Sequence, residues 1–166
     1  MSRPLPRFSF TSDLDASADV LWAHATTIKG VNKEFVPFLR MTAPPGGDAI
    51  DHTKVPLGQR LFRSWILLFG FLPVDYDDLT IIEIEPGRRF LERSPMLSQR
   101  LWTHERTVEP RAEGGASLTD HVSYEPRIAA LGAAQLPMFR TIFRYRHHRL
   151  VRLFGGRTRP AAQPRA

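Results

Sequence analysis

The chain contains no cysteine among its 166 residues, which excludes disulfide bonds, thiolate zinc sites and cysteine nucleophiles. It also lacks a long hydrophobic run. The longest apolar stretch, WILLFGFLPV at 65–74, has ten residues, whereas a membrane-spanning helix needs about 20. The first residues, MSRPLPRF, contain no apolar segment of the kind found in secretory signals. These absences predict a cytoplasmic protein.

Sequence motifs for metal, nucleotide and serine-hydrolase chemistry are absent as well. The chain has no HExxH, no Walker A, no GxGxxG and no GxSxG. His147 and His148 are adjacent, so their side chains diverge on a helix and are badly placed to share a metal ion. We therefore predict no metal site and no cofactor.

Positive charge exceeds negative charge, with 23 Lys and Arg against 17 Asp and Glu, and nearly all of the cations are arginine. The excess indicates either an arginine-rich genome composition or attraction to acidic partners such as nucleic acid or a membrane surface. Because the cations are spread along the chain except for one cluster near the C-terminus, the compositional explanation is preferred.

The length is typical of one domain and is enough to bury about 70% of the surface that the unfolded chain exposes. Both ends are rich in proline, glycine, alanine or arginine, which is typical of loose tails. We predict a single domain over 7–154, with flexible tails at 1–6 and 155–166.

The first part of the chain favours a strand followed by two short helices. Phe8 and Phe10 alternate with polar residues, as in a half-buried strand, and Ser17 is a suitable helix N-cap. Prolines and glycines then predict a long loop. The predicted elements are a strand at 7–14, helices at 15–27 and 30–39, and a loop at 42–58.

From residue 59 onward, short apolar segments separated by turn residues favour an antiparallel sheet. The predicted strands are 59–72, 79–85, 90–94, 99–109 and 117–126, with turns at 75–78 and 86–89 and a hairpin loop at 110–115.

The chain then takes the period of a helix over 136–156, which must bury its apolar stripe against the sheet. Pro137 suits its first turn and Gly155 suits its end. The stripe consists of Phe139, Ile142, Phe143, Leu150, Leu153 and Phe154, and Arg140, Arg144, His148 and Arg152 lie on the opposite face.

This order of elements resembles the START-like, or helix-grip, superfamily (SRPBCC proteins), which includes the birch-pollen-allergen fold and polyketide cyclase/dehydratase relatives. The resemblance covers about 7–154. It implies an α+β fold in which a curved antiparallel sheet of about six or seven strands wraps a long C-terminal helix. It also implies a hollow for a hydrophobic ligand. The segments that carry it are FTSDLDASADVLWAHAT, LLFGFLPVDY, IIEIEPGRRFLERS, LWTHERTVEP with LTDHVSYEPR, and MFRTIFRYRHHRLVRLF.

Polar residues share the inward face of the last two strands. If the hairpin turn centres near Glu113, Arg106 faces Asp120, and a register shifted by two residues would set His104 against Asp120 instead. Both registers keep these groups on one face. The first register also sets Trp102 against Tyr124. Because a buried, unpaired carboxylate is costly, Asp120 is expected to pair with Arg106 or His104.

Three interpretations of this polar cluster remain open. It orients a ligand in an apolar cavity, or it is an ion pair that only fixes the hairpin register. Alternatively, His104 is an acid/base that Asp120 orients. The strand that carries Trp65 is apolar on both faces, so the sequence does not indicate which of its alternate residues point inward. The predicted ligand-binding residues are Trp65, Trp102, His104, Arg106, Asp120, Tyr124, Phe139 and Phe143.

The predicted function is binding or transport of a hydrophobic small molecule, such as a lipid, polyketide or quinone-like compound. The alternative is a polyketide cyclase/dehydratase-type enzyme that uses His104 and Asp120. A third possibility is an interaction module whose cavity is filled by side chains. The basic helix face is either solvated or makes a weak contact with an anionic membrane. Nucleic acid is not an expected partner, because that face lacks interleaved aromatic residues.

Overall fold

The computed structural model describes residues 4–50 and 54–159. Within them an open antiparallel sheet of eight strands accompanies two short helices and one long C-terminal helix. This confirms the predicted α+β helix-grip architecture. The elements are β1 (Arg7–Leu14), α1 (Ala18–Ala25), α2 (Ile28–Phe35), β2 (Leu39–Met41), β3 (Arg60–Leu68), β4 (Leu72–Glu85), β5 (Arg89–Ser94), β6 (Gln99–Pro110), β7 (Ala116–Pro126), α3 (Gly132–Phe154) and β8 (Arg157–Thr158), with a 3-10 turn at Ala129–Leu131.

The strand order is β2-β3-β4-β5-β6-β7-β1-β8, so the chain meanders from β2 to β7 and β1 then closes on β7. The hairpin of β6 and β7 has the first of the two registers that the sequence left open: Trp102 pairs with Tyr124 and Arg106 pairs with Asp120. Because side chains alternate across a strand, the polar residues of this hairpin and the apolar stripe of α3 meet on one side of the sheet.

Both short helices begin at a side-chain cap. Ser17 accepts a hydrogen bond from the Val20 amide at 3.5 Å, which confirms the predicted N-cap of α1. Thr27 accepts one from the Gly30 amide at 2.9 Å, so α2 starts two residues earlier than predicted. At Gly30 a Cβ atom would collide with the carbonyl oxygen of His24, and glycine therefore allows the two helices to pack closely.

The first hairpin of the meander differs from the prediction. The sequence predicted one strand over 59–72 and a turn at 75–78, but the chain turns between β3 and β4, where Phe69 and Gly70 have φ angles of 52° and 82°. Gly70 adopts this left-handed conformation without a steric cost. The acidic residues at 75–78 continue β4 because they pair with β3, as Asp77 does with Ser64.

Helix α3 begins four residues earlier than predicted, at Gly132, so Pro137 lies inside the helix and not in its first turn. Gly155, with φ at 74°, ends the helix as predicted. The four basic residues predicted on the outer face (Arg140, Arg144, His148 and Arg152) are exposed.

Part of the predicted C-terminal tail forms an edge of the sheet. Arg157–Thr158 pairs with Ser12 and Asp13 of β1, and Arg159 donates a hydrogen bond to the Asp13 carboxylate at 2.8 Å. A flexible tail from residue 155 is therefore wrong as far as Arg159. The rest of that predicted tail, at 160–166, lies outside the described residues, as do 1–3. In the described part of the chain, no helix is both long and apolar enough to cross a membrane.

Candidate functional site

A cavity of about 740 Å³ lies between the sheet and α3. Its volume falls within the range of about 300–1,000 Å³ that is usual for small-molecule sites. Its walls are mainly apolar and come from α2, β2, β3, β4 and α3. Among the apolar residues that line it are Val31, Phe35, Leu39, Met41, Ile66, Leu68, Leu79, Met138, Phe139, Ile142 and Phe143.

Five of the eight predicted ligand-binding residues line this cavity, and they come from the two elements in which the sequence pattern was clearest. The strand β6 contributes alternate residues because only its inward face reaches the hollow. The helix α3 contributes residues of its apolar stripe. The five are Trp102, His104, Arg106, Phe139 and Phe143.

Trp65 is a correction: its side chain is 43% exposed and does not line the cavity. It packs edge-on against Tyr76 at a ring separation of 5.6 Å. Its neighbours Ile66 and Leu68 line the cavity instead. The outward residues of this strand form an exposed apolar surface, so the strand is apolar on both faces. Periodicity therefore did not indicate which of its alternate residues point inward.

Tyr124 and Asp120 are also corrections, because both are fully buried beneath the cavity wall and do not line it. The Tyr124 hydroxyl donates a hydrogen bond to the carbonyl oxygen of Gly132 at 2.9 Å, which ties β7 to the start of α3. The Tyr124 ring stacks behind Trp102. Their inward orientation was predicted, but their partners across the hairpin, Trp102 and Arg106, line the hollow instead.

Asp120 pairs with both of its predicted partners at once. The Arg106 guanidinium donates from Nε at 2.7 Å and from Nη2 at 2.8 Å. His104 Nε2 lies 2.8 Å from the Asp120 carboxylate, and His147 Nε2 lies 3.0 Å from it. Burial raises the pKa of Asp120, but Arg106 and His104 lower it by more, so the pKa lies well below its usual range. Asp120 is therefore ionised.

Glu34 on α2 and Arg146 on α3 complete this buried network, and the sequence analysis missed both. Arg106 donates to the two Glu34 oxygens at 2.8 and 3.0 Å, and Arg146 Nε donates at 2.8 Å. His24 Nε2 lies 3.1 Å from the same carboxylate. Burial raises the pKa of Glu34, but the two guanidinium charges lower it below its ordinary value. A signal for Arg146 existed: it occupies a gap in the apolar stripe of the helix.

A second polar group lines the cavity on β4 and β5. Glu92 accepts a hydrogen bond from Ser94 at 2.7 Å and lies 3.5 Å from His104 Nδ1. Burial and the Glu92 charge raise the pKa of the neighbouring Asp77 well above its usual value. Asp75 also lines the cavity and accepts hydrogen bonds from the Ser98 amide and hydroxyl. We call Asp75, Asp77 and Glu92 the acidic end of the cavity.

Both imidazole nitrogens of His104 are engaged by carboxylates, Asp120 on one side and Glu92 on the other. Burial lowers the pKa of His104, but these two carboxylates raise it by more, so the pKa lies above its ordinary value. The ring therefore links the two polar groups and has no free nitrogen for a ligand. Within 4–50 and 54–159, no cluster of three or more His, Asp or Glu side chains has the geometry of a metal site.

The sequence over 12–154 matches a family described as a domain of unknown function, DUF8410. No curated protein matches the chain.

Solved structures share the fold at low sequence identity. Protein CV1439 from Chromobacterium violaceum is 14% identical, with a TM-score of 0.68 over 90% of this chain and 98% of its own. A START superfamily protein from Mycobacterium smegmatis is 8% identical, with a TM-score of 0.63 over 89% of this chain and 96% of its own.

DynU16, from the dynemicin biosynthetic locus, is 17% identical with a TM-score of 0.56, and the match covers 93% of this chain but 50% of DynU16. At these identities the similarity shows the fold alone. The chain belongs to the DUF8410 family, and its fold is the START-like helix-grip fold.

Proposed function

We propose that this protein binds and carries a hydrophobic small molecule in the cavity between the sheet and α3. The observation that carries this proposal is the cavity itself: about 740 Å³ of space with a mainly apolar wall. A packed core does not leave a hollow of this size, because protein interiors are close-packed. Transfer of an apolar ligand from water to such a wall contributes about 25 cal/mol for each Å² buried.

The START-like fold supports the same proposal, since the resemblance to that superfamily implies a hollow for a hydrophobic ligand. The packing beneath the cavity supports it as well. Tyr124, Val122 and Leu118 are buried in core clusters and do not line the hollow.

A polyketide cyclase/dehydratase-type activity is the second candidate, and one observation favours it: His104 lines the cavity and contacts Asp120. The same contacts weaken it, because both ring nitrogens are held by carboxylates and none is free to exchange a proton with a ligand. Binding is therefore the preferred function. Turnover of a polyketide substrate that is lost in His104→Gln, with binding retained, would favour the enzyme.

The mouth of the cavity suggests where a ligand enters. Phe38, Val74 and Met138 line the cavity and are about half exposed, and Phe71 at the tip of the β3–β4 hairpin is 75% exposed. Exposed apolar side chains together with a basic helix face are typical of proteins that touch an anionic membrane. We include a weak, reversible contact with such a surface in the proposal.

A cavity-filling variant tests the binding function directly. Val31→Trp places an indole inside the cavity, and Val20→Trp adds the same group to the exposed side of α1 as a control. We expect native mass spectrometry of the purified protein to show a co-purified apolar molecule. We also expect the neutral probe N-phenyl-1-naphthylamine to bind, with an affinity about ten-fold lower in Val31→Trp and unchanged in Val20→Trp.

Absence of probe binding in the wild type would contradict the proposal. Equal affinity in the filled variant would also contradict it, because the probe would then bind elsewhere.

A further inference from the structure

We propose that the acidic end of the cavity binds a protonated amine, so that the preferred ligand is an amphiphile with an ammonium group on an apolar body. This inference rests on the proposed binding function and names its ligand class. It uses the polar residues of the cavity wall that do not form ion pairs with arginine.

The two polar ends of the cavity differ in how their charge is balanced. Arg106 and Arg146 both line the cavity, but their guanidinium groups are already paired with Glu34 and Asp120 at 2.7–3.0 Å. We call these two arginines the basic end of the cavity. Their positive charge is already balanced, so little of it remains for an anionic ligand. No arginine in the described ranges forms an ion pair with any of the three carboxyl groups of the acidic end.

The acidic end also contains an acceptor that lacks a donor. Asp77 is 4% exposed and lines the cavity, yet its Oδ1 atom has no hydrogen-bond partner among the described residues. Its neighbour Glu92 is another acceptor, already fixed by Ser94. On the facing helix, Gln135 lines the same cavity and its Oε1 atom is also buried without a partner. Unpaired buried acceptors on two walls call for a ligand with several donors.

An ammonium group meets this requirement better than a hydroxyl group, because it supplies three donors and a positive charge. Charge-assisted hydrogen bonds to carboxylates are about twice as strong as neutral ones. A metal ion is a poorer fit, since no metal-ligating cluster exists within 4–50 and 54–159.

In the unliganded protein, a proton shared between Asp77 and Glu92 takes the place of the missing donor. The raised pKa of Asp77 is consistent with this, because burial and the Glu92 charge both oppose its ionisation. The other ionisable groups along the cavity wall are Asp75 on β4, His104 and Arg106 on β6, and Tyr145 and Arg146 on α3. When an ammonium ion binds, its charge replaces that of the shared proton, and the proton leaves for the buffer.

Three ligands with one tail separate the alternatives: dodecylamine, dodecanol and dodecanoate, each titrated by calorimetry below its micelle concentration. We expect dodecylamine to bind about ten-fold or more tightly than either of the others. Titration in two buffers of different ionisation enthalpy should show release of about one proton per amine bound.

Asp77→Asn keeps the side-chain volume and removes the charge, so it should lower dodecylamine affinity about ten-fold and leave dodecanol affinity unchanged. Glu83→Gln, on the exposed outer side of β4, is the matched control and should change neither affinity. Circular dichroism of each variant verifies that it folds.

Dodecylamine binding no tighter than dodecanol binding would overturn the amine inference and leave the cavity proposal standing. Tighter binding of dodecanoate than of dodecylamine would also overturn it, and would indicate that an anionic ligand binds at the basic end. If none of the three ligands bound, the amine inference and the proposed binding function would both be wrong.

Discussion

Two buried aspartates show how the environment determines the state of one side chain. Asp120 and Asp77 are almost equally inaccessible, at 0% and 4% exposure. Asp120 contacts the Arg106 guanidinium, whereas Asp77 faces another carboxyl group, that of Glu92. The pKa is therefore shifted down in the first and up in the second. One aspartate is neutralised by an arginine, and the other keeps an oxygen without a hydrogen-bond partner among the described residues.

The stabilities of Asp120→Asn and Asp77→Asn should depend on pH in opposite ways. A lowered folded-state pKa stabilises the fold above the unfolded-state value, and this stabilisation is lost as the pH falls through the folded-state value. Asp120→Asn should therefore cost about 3–5 kcal/mol at pH 7, since it leaves Arg106 under-compensated, and less under acid conditions.

A raised folded-state pKa has the reverse effect, because wild-type stability declines as the pH rises above the unfolded-state pKa. Asp77→Asn should gain about 1.4 kcal/mol or more relative to wild type between pH 4 and pH 7. Urea unfolding across this pH range measures both differences. A pH-independent difference for Asp77→Asn would contradict the raised pKa.

At the scale of elements, one carboxylate joins three segments that are distant in sequence. Glu34 on α2 contacts Arg106 on β6 and Arg146 on α3, across separations of 72 and 112 residues. A hydrogen bond from the Tyr145 hydroxyl to the carbonyl oxygen of Val36 closes the same junction from outside. The position of α2, which forms one wall of the cavity, therefore depends on a buried charge network.

Glu34→Gln should destabilise the protein by about 3–5 kcal/mol, because two buried arginines lose the charge that balances them. We expect amide hydrogen exchange in α2 to accelerate more than exchange in β6 and β7, since α2 has fewer other contacts with the sheet. Lys33→Ala, an exposed change on the same helix, should stay within about 0.5 kcal/mol. Uniform acceleration of exchange throughout the chain would show that Glu34 does not hold α2 in particular.

At the scale of the whole molecule, the chain is basic and the cavity mouth has an apolar rim. The chain has a net charge of +6, and Arg140 and Arg144 lie exposed on the same helix as Met138, which lines the mouth. Phe69 and Phe38 are joined by a backbone hydrogen bond and are both about half exposed.

The double variant Arg140→Gln/Arg144→Gln should bind anionic vesicles less tightly than wild type, because each basic residue near such a surface contributes about 1 kcal/mol. Sedimentation with phosphatidylserine-containing vesicles measures this, and binding should disappear at high salt as charges are screened. Arg88→Gln/Arg93→Gln removes the same charge from exposed sites on other elements and is the control. Equal binding to neutral vesicles would exclude the proposed membrane contact.

Local pattern predicted those parts of the fold that depend on neighbouring residues. Alternation in β6 and β7 placed His104, Arg106 and Asp120 on one face, as found. The sequence left two registers of this hairpin open, and the structure has the one that sets Arg106 against Asp120. The need to neutralise a buried carboxylate predicted the pairing of Asp120 with Arg106. Period and capping likewise indicated the N-cap at Ser17.

The sequence by itself therefore determined the order of elements, the inward faces of the last hairpin and the stripe of the long helix, because these follow from side-chain period and nearby turns. Only the tertiary structure decided that Glu34 and Arg146 join the buried network, that Trp65 faces outward and that one carboxylate oxygen of Asp77 lacks a partner. These features depend on which distant segments pack together, and a contact across more than 70 residues leaves no periodic trace in the sequence.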